Sequence, residues 1–205
     1  MEVSIIIPYN KDRGFLKAAV ESTVNQDFTG AYEVILAYGD KLIGANFNDG
    51  LARAKGTNIK VLSEDDILPP NSLSLLYNFM EKYKLDWAFA NAINFYGKRQ
   101  LLQKSKESDL LNGDPVHGGS TMYRRDVLLE IEGYDETLWT AEEHELHLRL
   151  NYKGYKHGYL DAVTYHYIRH SGSKITVYNK NYDLKKARLQ AVKNLKIIWE
   201  LNKKK

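Results

Sequence analysis

The chain has 205 residues, 43% of them hydrophobic and 27% charged, which is the size and composition of one soluble globular domain with a full core. It holds no cysteine, which excludes disulfides and thiolate-bound zinc, and no apolar run near the roughly 18 residues of a membrane span. The net charge of +3 is uneven: residues 174–205 carry nine lysines and one arginine against Asp183 and Glu200, a net +8, which leaves −5 on the first 173 residues. Such a basic run is usually a solvated helix face; contact with an anionic membrane surface is the lesser reading, and no motif accompanies it that would suggest nucleic acid. The opening residues are not of signal-peptide type and there is no Asn-x-Ser/Thr site, so a soluble, cytoplasmic setting is the expectation.

Along the chain, Val3–Ile7 is a β-branched run ended by Pro8, the pattern of a buried strand. Helical spacing follows over residues 13–26, then a second strand at 33–37 and a short helix at 46–55 that stops at Gly56. Ile59–Leu62 reads as a third strand. Pro69-Pro70-Asn71 opens a helix with Leu73, Leu76, Tyr77, Met80 and Tyr83 on one face. Two strand-like stretches, Trp87–Ala90 and Ile93–Tyr96, precede a polar stretch, 98–114, that reads as irregular. A strand at 121–123, helices at 124–132 and 140–151, and a strand at 159–167 complete the body. Leu184, Ala187, Ala191, Leu195 and Ile198 then step by three or four, predicting an amphipathic C-terminal helix from about Asp183 that packs on the domain. Strands alternating with helices predict an α/β fold with a mostly parallel central sheet flanked by helices. The expected division is residues 1–173 as the domain and 174–205 as its basic helical tail.

In an open α/β sheet, ligands bind where the strands end and loops supply polar groups. Three strand ends are chemically rich: Pro8-Tyr9-Asn10, Tyr38-Gly39-Asp40 and Glu64-Asp65-Asp66. Three successive acids after an apolar strand raise one another's pKa unless something neutralises them. A divalent cation held by carboxylates and phosphate oxygens, Mg²⁺ or Mn²⁺, is one remedy; acids that merely start a turn before Pro69 are the other reading.

These blocks together resemble the GT-A-fold (Rossmann-like) glycosyltransferases usually called family 2. Val3–Asn10 (VSIIIPYN) is similar to the family's opening strand, and Gly50–Gly56 followed by Ile59–Asp66 to its central block ending in an aspartate-rich motif. Gly118-Gly119, Arg124-Arg125 and Gly133-Tyr134-Asp135 resemble the acceptor-side block, Glu142-Glu143 with the helix after it the acidic pair, and Tyr165-His166 the late metal-binding histidine. The likeness spans residues 3 to about 170 with its blocks in order.

The resemblance implies a metal-dependent, inverting transfer of a sugar from a UDP-sugar donor to a glycan, glycoprotein or other hydroxyl acceptor. It places Pro8, Tyr9 and Asn10 at the nucleotide base, Asp65 at the ribose or metal, and Tyr38, Asp40, Asn46 and Glu64 with them on the nucleotide-sugar side. Asp66 and His166 become ligands of Mn²⁺ or Mg²⁺. Glu143 takes the position of the catalytic base, with Glu142 as the fallback. Two departures stand out: Ala37-Tyr38-Gly39-Asp40 replaces the usual aspartate pair after the second strand, and Ser63 replaces the first acid of the aspartate-rich motif. Locally, Thr140 to Glu143 also fits a capping box. Rival readings are a sugar-1-phosphate nucleotidyltransferase, which needs a glycine-rich loop where Tyr9–Arg13 stands, and a non-catalytic carbohydrate-binding or scaffold domain of the same fold.

Overall fold

The computed structural model of the protein describes residues 1–105 and 116–173. Its elements are β1 (Val3–Tyr9), α1 (Leu16–Val24), β2 (Tyr32–Tyr38), α2 (Ile43–Arg53), β3 (Asn58–Val61), α3 (Ser72–Tyr83), β4 (Trp87–Tyr96), β5 (Arg99–Gln103), β6 (Thr121–Arg124), α4 (Arg125–Glu130), α5 (Glu142–Tyr152) and β7 (His157–Ile168). The expected C-terminal helix lies outside the described residues, as does the later part of the polar stretch before residue 116. Among the described residues no helix is long and apolar enough to cross a membrane.

One sheet organises the molecule, in the order β2-β1-β3-β6-β4-β5, with β7 also paired to β4. The first half is as expected: β1 lies parallel to both β2 and β3, with α1 and α2 as the crossovers. The second half adds two reversed strands, β6 antiparallel to β3 and β4 and β5 antiparallel to β4, while β4 and β7 run in the direction of β1, β2 and β3, so the sheet is mixed but mostly parallel. For β5 a short connection forces the reversal, since β4 reaches it through a turn at Gly97 (φ +60°), and a turn that tight can only reverse the strand. β7 returns parallel along the other edge of β4.

Alternation along β1 divides the core between the two faces of the sheet. Ile6 faces Phe47 and Leu51 of α2 and Leu146 and Leu150 of α5. Val3, Ile5 and Ile7 face Leu73, Leu76 and Met80 of α3 and Ala19 of α1. The sequence shows two strand-like stretches where the structure has the single strand β4, because Asn91 interrupts the apolar pattern. That asparagine is buried and satisfied: its Nδ2 donates to Asp161 Oδ1 at 2.8 Å, and its Oδ1 accepts from Ser105 N–H at 3.0 Å. The pairing of β4 with β7 slips in register at the same point. Arg99–Gln103, expected to be irregular, is the exposed edge strand β5, whose structure comes from its partner rather than from burial of its own side chains.

Helix α2 presses against β1 so closely that a Cβ at Gly50 would lie 2.6 Å from Ile6 Cγ2 and 3.1 Å from Ala37 Cβ. Gly50→Val should lower stability by about 1–3 kcal/mol through overpacking, read as a drop in melting temperature. Gly97→Asn, in open space on the surface, should cost far less.

Candidate functional site

An open cleft of about 470 Å³ lies at the carboxyl ends of β1 and β3 and runs across to β7. One side is made by Pro8 and Asn10 after β1 and by Leu42 and Ile43 at the start of α2. The floor is Ser63-Glu64-Asp65-Asp66 after β3, and the far wall combines Gly118-Gly119, Glu142-Glu143 and Tyr167. Of the expected site residues, the cleft therefore gathers Pro8, Asn10, Glu64, Asp65, Asp66, Glu142 and Glu143.

The acids after β3 are held individually. Asp66 is 1% exposed, yet both its oxygens are met: Oδ2 accepts from the Tyr165 hydroxyl at 2.7 Å, and Oδ1 from the Ile168 N–H at 2.8 Å. The same hydroxyl accepts from the Ser63 N–H at 3.2 Å, so Tyr165 ties both ends of the acidic turn. Burial, then repulsion from Asp65, pushes the Asp66 carboxyl well above the usual carboxylate range, although the Tyr165 hydroxyl and the Ile168 amide pull the other way. Glu64 is raised for the same two reasons, against the opposing pull of Arg13, whose guanidinium pairs with it. Asp65 Oδ2 lies 2.9 Å from His170 Nε2, and the His170 ring packs on Phe15 at 4.5 Å.

His166 is the expectation that the geometry overturns. Side chains alternate along β7, so with Tyr165 and Tyr167 turned to the cleft side, His166 points away. Its ring meets Phe95 edge-on at 4.9 Å, its backbone bridges Ile67, and burial lowers its pKa. The histidine at the acids is His170, just past the end of the strand. Spacing alone does not choose between them, because the choice depends on where β7 stops. Among the described residues no group of three or more His, Asp or Glu side chains is arranged as a ready-made metal cage. The donors do fit a hard cation shared with a ligand: Asp65 and Asp66 supply oxygen on one turn, and Mg²⁺-type sites commonly take one or two carboxylates plus substrate phosphates.

Asn46 is also corrected. It is fully buried in α2 and does not line the cleft; its Nδ2 donates to Tyr9 O at 3.0 Å and to Gly39 O at 2.8 Å, clamping the ends of β1 and β2 together. Tyr9, Tyr38 and Asp40 lie outside the lining. Tyr38 is 65% exposed and its ring leans on Tyr9 at 5.2 Å, an aromatic pair beside the cleft, while Asp40 is exposed in the following turn. Asn10 keeps a buried Oδ1 with no hydrogen-bond partner among the described residues. An acceptor left unmet at a cleft wall is suited to a ligand N–H.

Glu142 and Glu143 enter from the first turn of α5. The expected capping box is absent: the N-cap is Ala141, in a left-handed conformation (φ +66°) with no side-chain cap hydrogen bond, so Thr140 is displaced from that role. Glu142 is 3% exposed, whereas Glu143 is partly open to the cleft. Its side chain lies against Gly118, where an added Cβ would run into it.

Sequence reading missed Lys60 and Tyr165, which sit under the floor. Lys60 is fully buried; its Nζ donates to Gly119 O and, at 3.2 Å, to Val61 O, and lies 5.2 Å from the centre of the Tyr165 ring. Burial depresses the Lys60 ammonium to about 7, against a smaller opposing pull from Asp66. Between that value and the ordinary 10.5 the unfolded chain binds a proton that the folded one lacks, so the Lys60 contribution to stability rises with pH across this window. Wild type should accordingly gain on Lys60→Met between about pH 7 and pH 10, by up to the order of 4 kcal/mol, as read from paired urea melts. A gap that is flat or shrinks with pH would contradict the depressed lysine.

No family model matches the chain. Among curated proteins it resembles two described as uncharacterized glycosyltransferases, from Rickettsia bellii (25% identity, 72% of this chain and 27% of that protein) and Rickettsia felis (24% identity, 72% and 31%). The chain thus spans about a third or less of these relatives. Among solved structures it superposes on S. aureus TarS 1-349 in complex with UDP-GlcNAc (TM-score 0.70, 18% identity, 86% of this chain and 61% of that one) and in complex with UDP (TM-score 0.67, 18% identity, 83% and 61%). The seven-stranded sheet with helices on its two faces has the GT-A, Rossmann-like fold of these structures.

Proposed function

We propose that this domain transfers a sugar from a UDP-sugar to a hydroxyl acceptor with the help of a divalent cation. The observation that carries the reading is the meeting, in one cleft, of the acidic turn after β3 with Glu143 of α5 and the Asn10 end of β1. Structural neighbours that bind UDP and UDP-GlcNAc support the choice of donor.

In this reading Asn10 and Pro8 receive the uracil ring, with the Tyr9–Tyr38 pair beside them. Asp65 and Asp66 would hold Mn²⁺ or Mg²⁺, which when bound would supply Lewis-acid stabilisation of the departing nucleoside diphosphate. Glu143 takes the proton of the acceptor hydroxyl as that oxygen attacks the anomeric carbon from the side opposite the diphosphate, which inverts the centre. General-base catalysis of this kind contributes about 10²–10⁴-fold. Buried Glu142 supports the turn rather than the proton transfer.

Calorimetry tests donor and metal separately. UDP should bind more tightly than GDP or CMP, and its affinity should fall by about tenfold or more when a chelator removes divalent ions. Equal affinity for GDP overturns the uridine assignment, and chelator-insensitive binding overturns the metal. For the base, Glu143→Gln should lose transfer by about 10²-fold or more with UDP affinity and melting temperature retained. Glu142→Gln should act chiefly on stability. The reverse pattern would move the base to Glu142.

A further inference from the structure

Two arginines line the cleft, and they are differently engaged. Arg13, on the nucleotide side, is committed to Glu64. Arg169 stands at the opposite side, just beyond β7, where its N–H donates to Phe95 O at 2.9 Å. Its Nε donates to Asn94 Oδ1 at 3.3 Å, and Asn94 Nδ2 in turn donates to Gln103 Oε1 at 3.0 Å. The guanidinium lies 4.3 Å from the centre of the Tyr167 ring and 5.5 Å from that of Tyr96. Among the described residues its terminal nitrogens meet no carboxylate and no other hydrogen-bond acceptor.

This is a built arrangement rather than a loose surface cation. Two aromatic rings and one hydrogen bond fix the plane of the guanidinium, so the ordering cost of using it is already met in the folded protein. A planar fork of this kind matches carboxylate and phosphate with two parallel hydrogen bonds. The electrostatics of the cleft sharpen the point. Glu64, Asp65, Asp66, Glu142 and Glu143 all line it, and with Arg13 committed, Arg169 is, among the described residues, the remaining arginine or lysine of the lining able to receive a negative group. Its location decides which substrate presents that group. The nucleotide side is formed by β1 and the start of α2, whereas Arg169, Gln103 and Tyr167 belong to the β4, β5 and β7 side, beyond the acidic floor.

We propose that Arg169 anchors an anion subsite on the acceptor side of the cleft, and that the acceptor carries a carboxylate or a phosphate near the hydroxyl that receives the sugar. The inference rests on the glycosyl-transfer reading and adds to it the chemical class of the acceptor. Tyr167 holds the guanidinium in place, and the Arg169 fork supplies the charge.

The test uses the whole chain saturated with UDP and Mn²⁺ and compares methyl glucoside, glucuronate and glucose 6-phosphate as probes by ligand-observed NMR titration. Both anions should bind about tenfold or more tightly than the glucoside at about 0.05 M salt, and the preference should shrink at about 1 M. Arg169→Gln should abolish the preference while leaving UDP affinity within about twofold, which also shows that the variant is folded; Arg169→Lys should retain part of it. Absence of any preference in the wild type, or its survival in Arg169→Gln, overturns the subsite. A tenfold loss of UDP affinity in Arg169→Gln overturns the acceptor assignment, because the arginine then serves the donor diphosphate. Tighter binding of UDP-glucuronate than UDP-glucose, lost in Arg169→Gln, overturns it in favour of the donor sugar. Wild type that binds no UDP but still prefers the anions would overturn the glycosyl-transfer reading and leave the anion site standing without an acceptor role.

Discussion

Negative charge concentrated at the end of β3 is the constraint around which the cleft is arranged. A fully buried Asp66 beside Asp65 and Glu64 is costly on any backbone, since burial and like-charge repulsion both oppose ionisation. The fold answers from several directions. β7 delivers a hydroxyl from Tyr165 and an amide from Ile168, the loop after it brings His170, α1's leading loop brings Arg13, and β3 itself places Lys60 on the far side of the Tyr165 ring. The long parallel pairing of β7 with β4 is thus what makes the acidic turn tolerable, because it sets the height at which Tyr165 and Ile168 meet Asp66.

The same scaffold links the two halves of the cleft. Gly119 lies flat against the Tyr165 ring, where an added Cβ would clash, and accepts from Lys60 through its carbonyl. Its neighbour Gly118 leaves room for the Glu143 side chain. From Glu143 to Asp66 there is therefore an unbroken path of packed groups across a glycine turn. Larger residues at either glycine would push the far wall away from the floor, so the paired glycines are a geometric requirement of the site.

Much of this was legible in the sequence, and the failures have physical causes. β1 announces itself through the apolar run Ile5–Ile7, buried on both faces of the sheet, whereas β3 is equally buried but carries Lys60 inside it, which is why that lysine passed unremarked. The acids after β3 stand out for the converse reason. Tertiary partners decided the rest. Asn91 looks like a break until Asp161 and Ser105 satisfy it, and RQLLQ has no strand pattern of its own until β4 offers an edge. Asn46 carries a side chain suited to ligands, and only the three-dimensional meeting of Tyr9 O and Gly39 O shows that it is already engaged. His166 and His170 are four residues apart, and strand alternation alone would put them on one face; what separates them is that β7 ends at Ile168, so His166 is held in the strand while His170, beyond its end, reaches Asp65.

The Asn46 clamp has a consequence for how a ligand arrives. By joining the carbonyls of Tyr9 and Gly39 through a single amide inside a helix, it makes the loops after β1 and β2 one rigid jaw anchored to α2. A ligand entering beside Asn10 would meet a surface already in shape, so little of the binding free energy would be consumed in ordering the protein there.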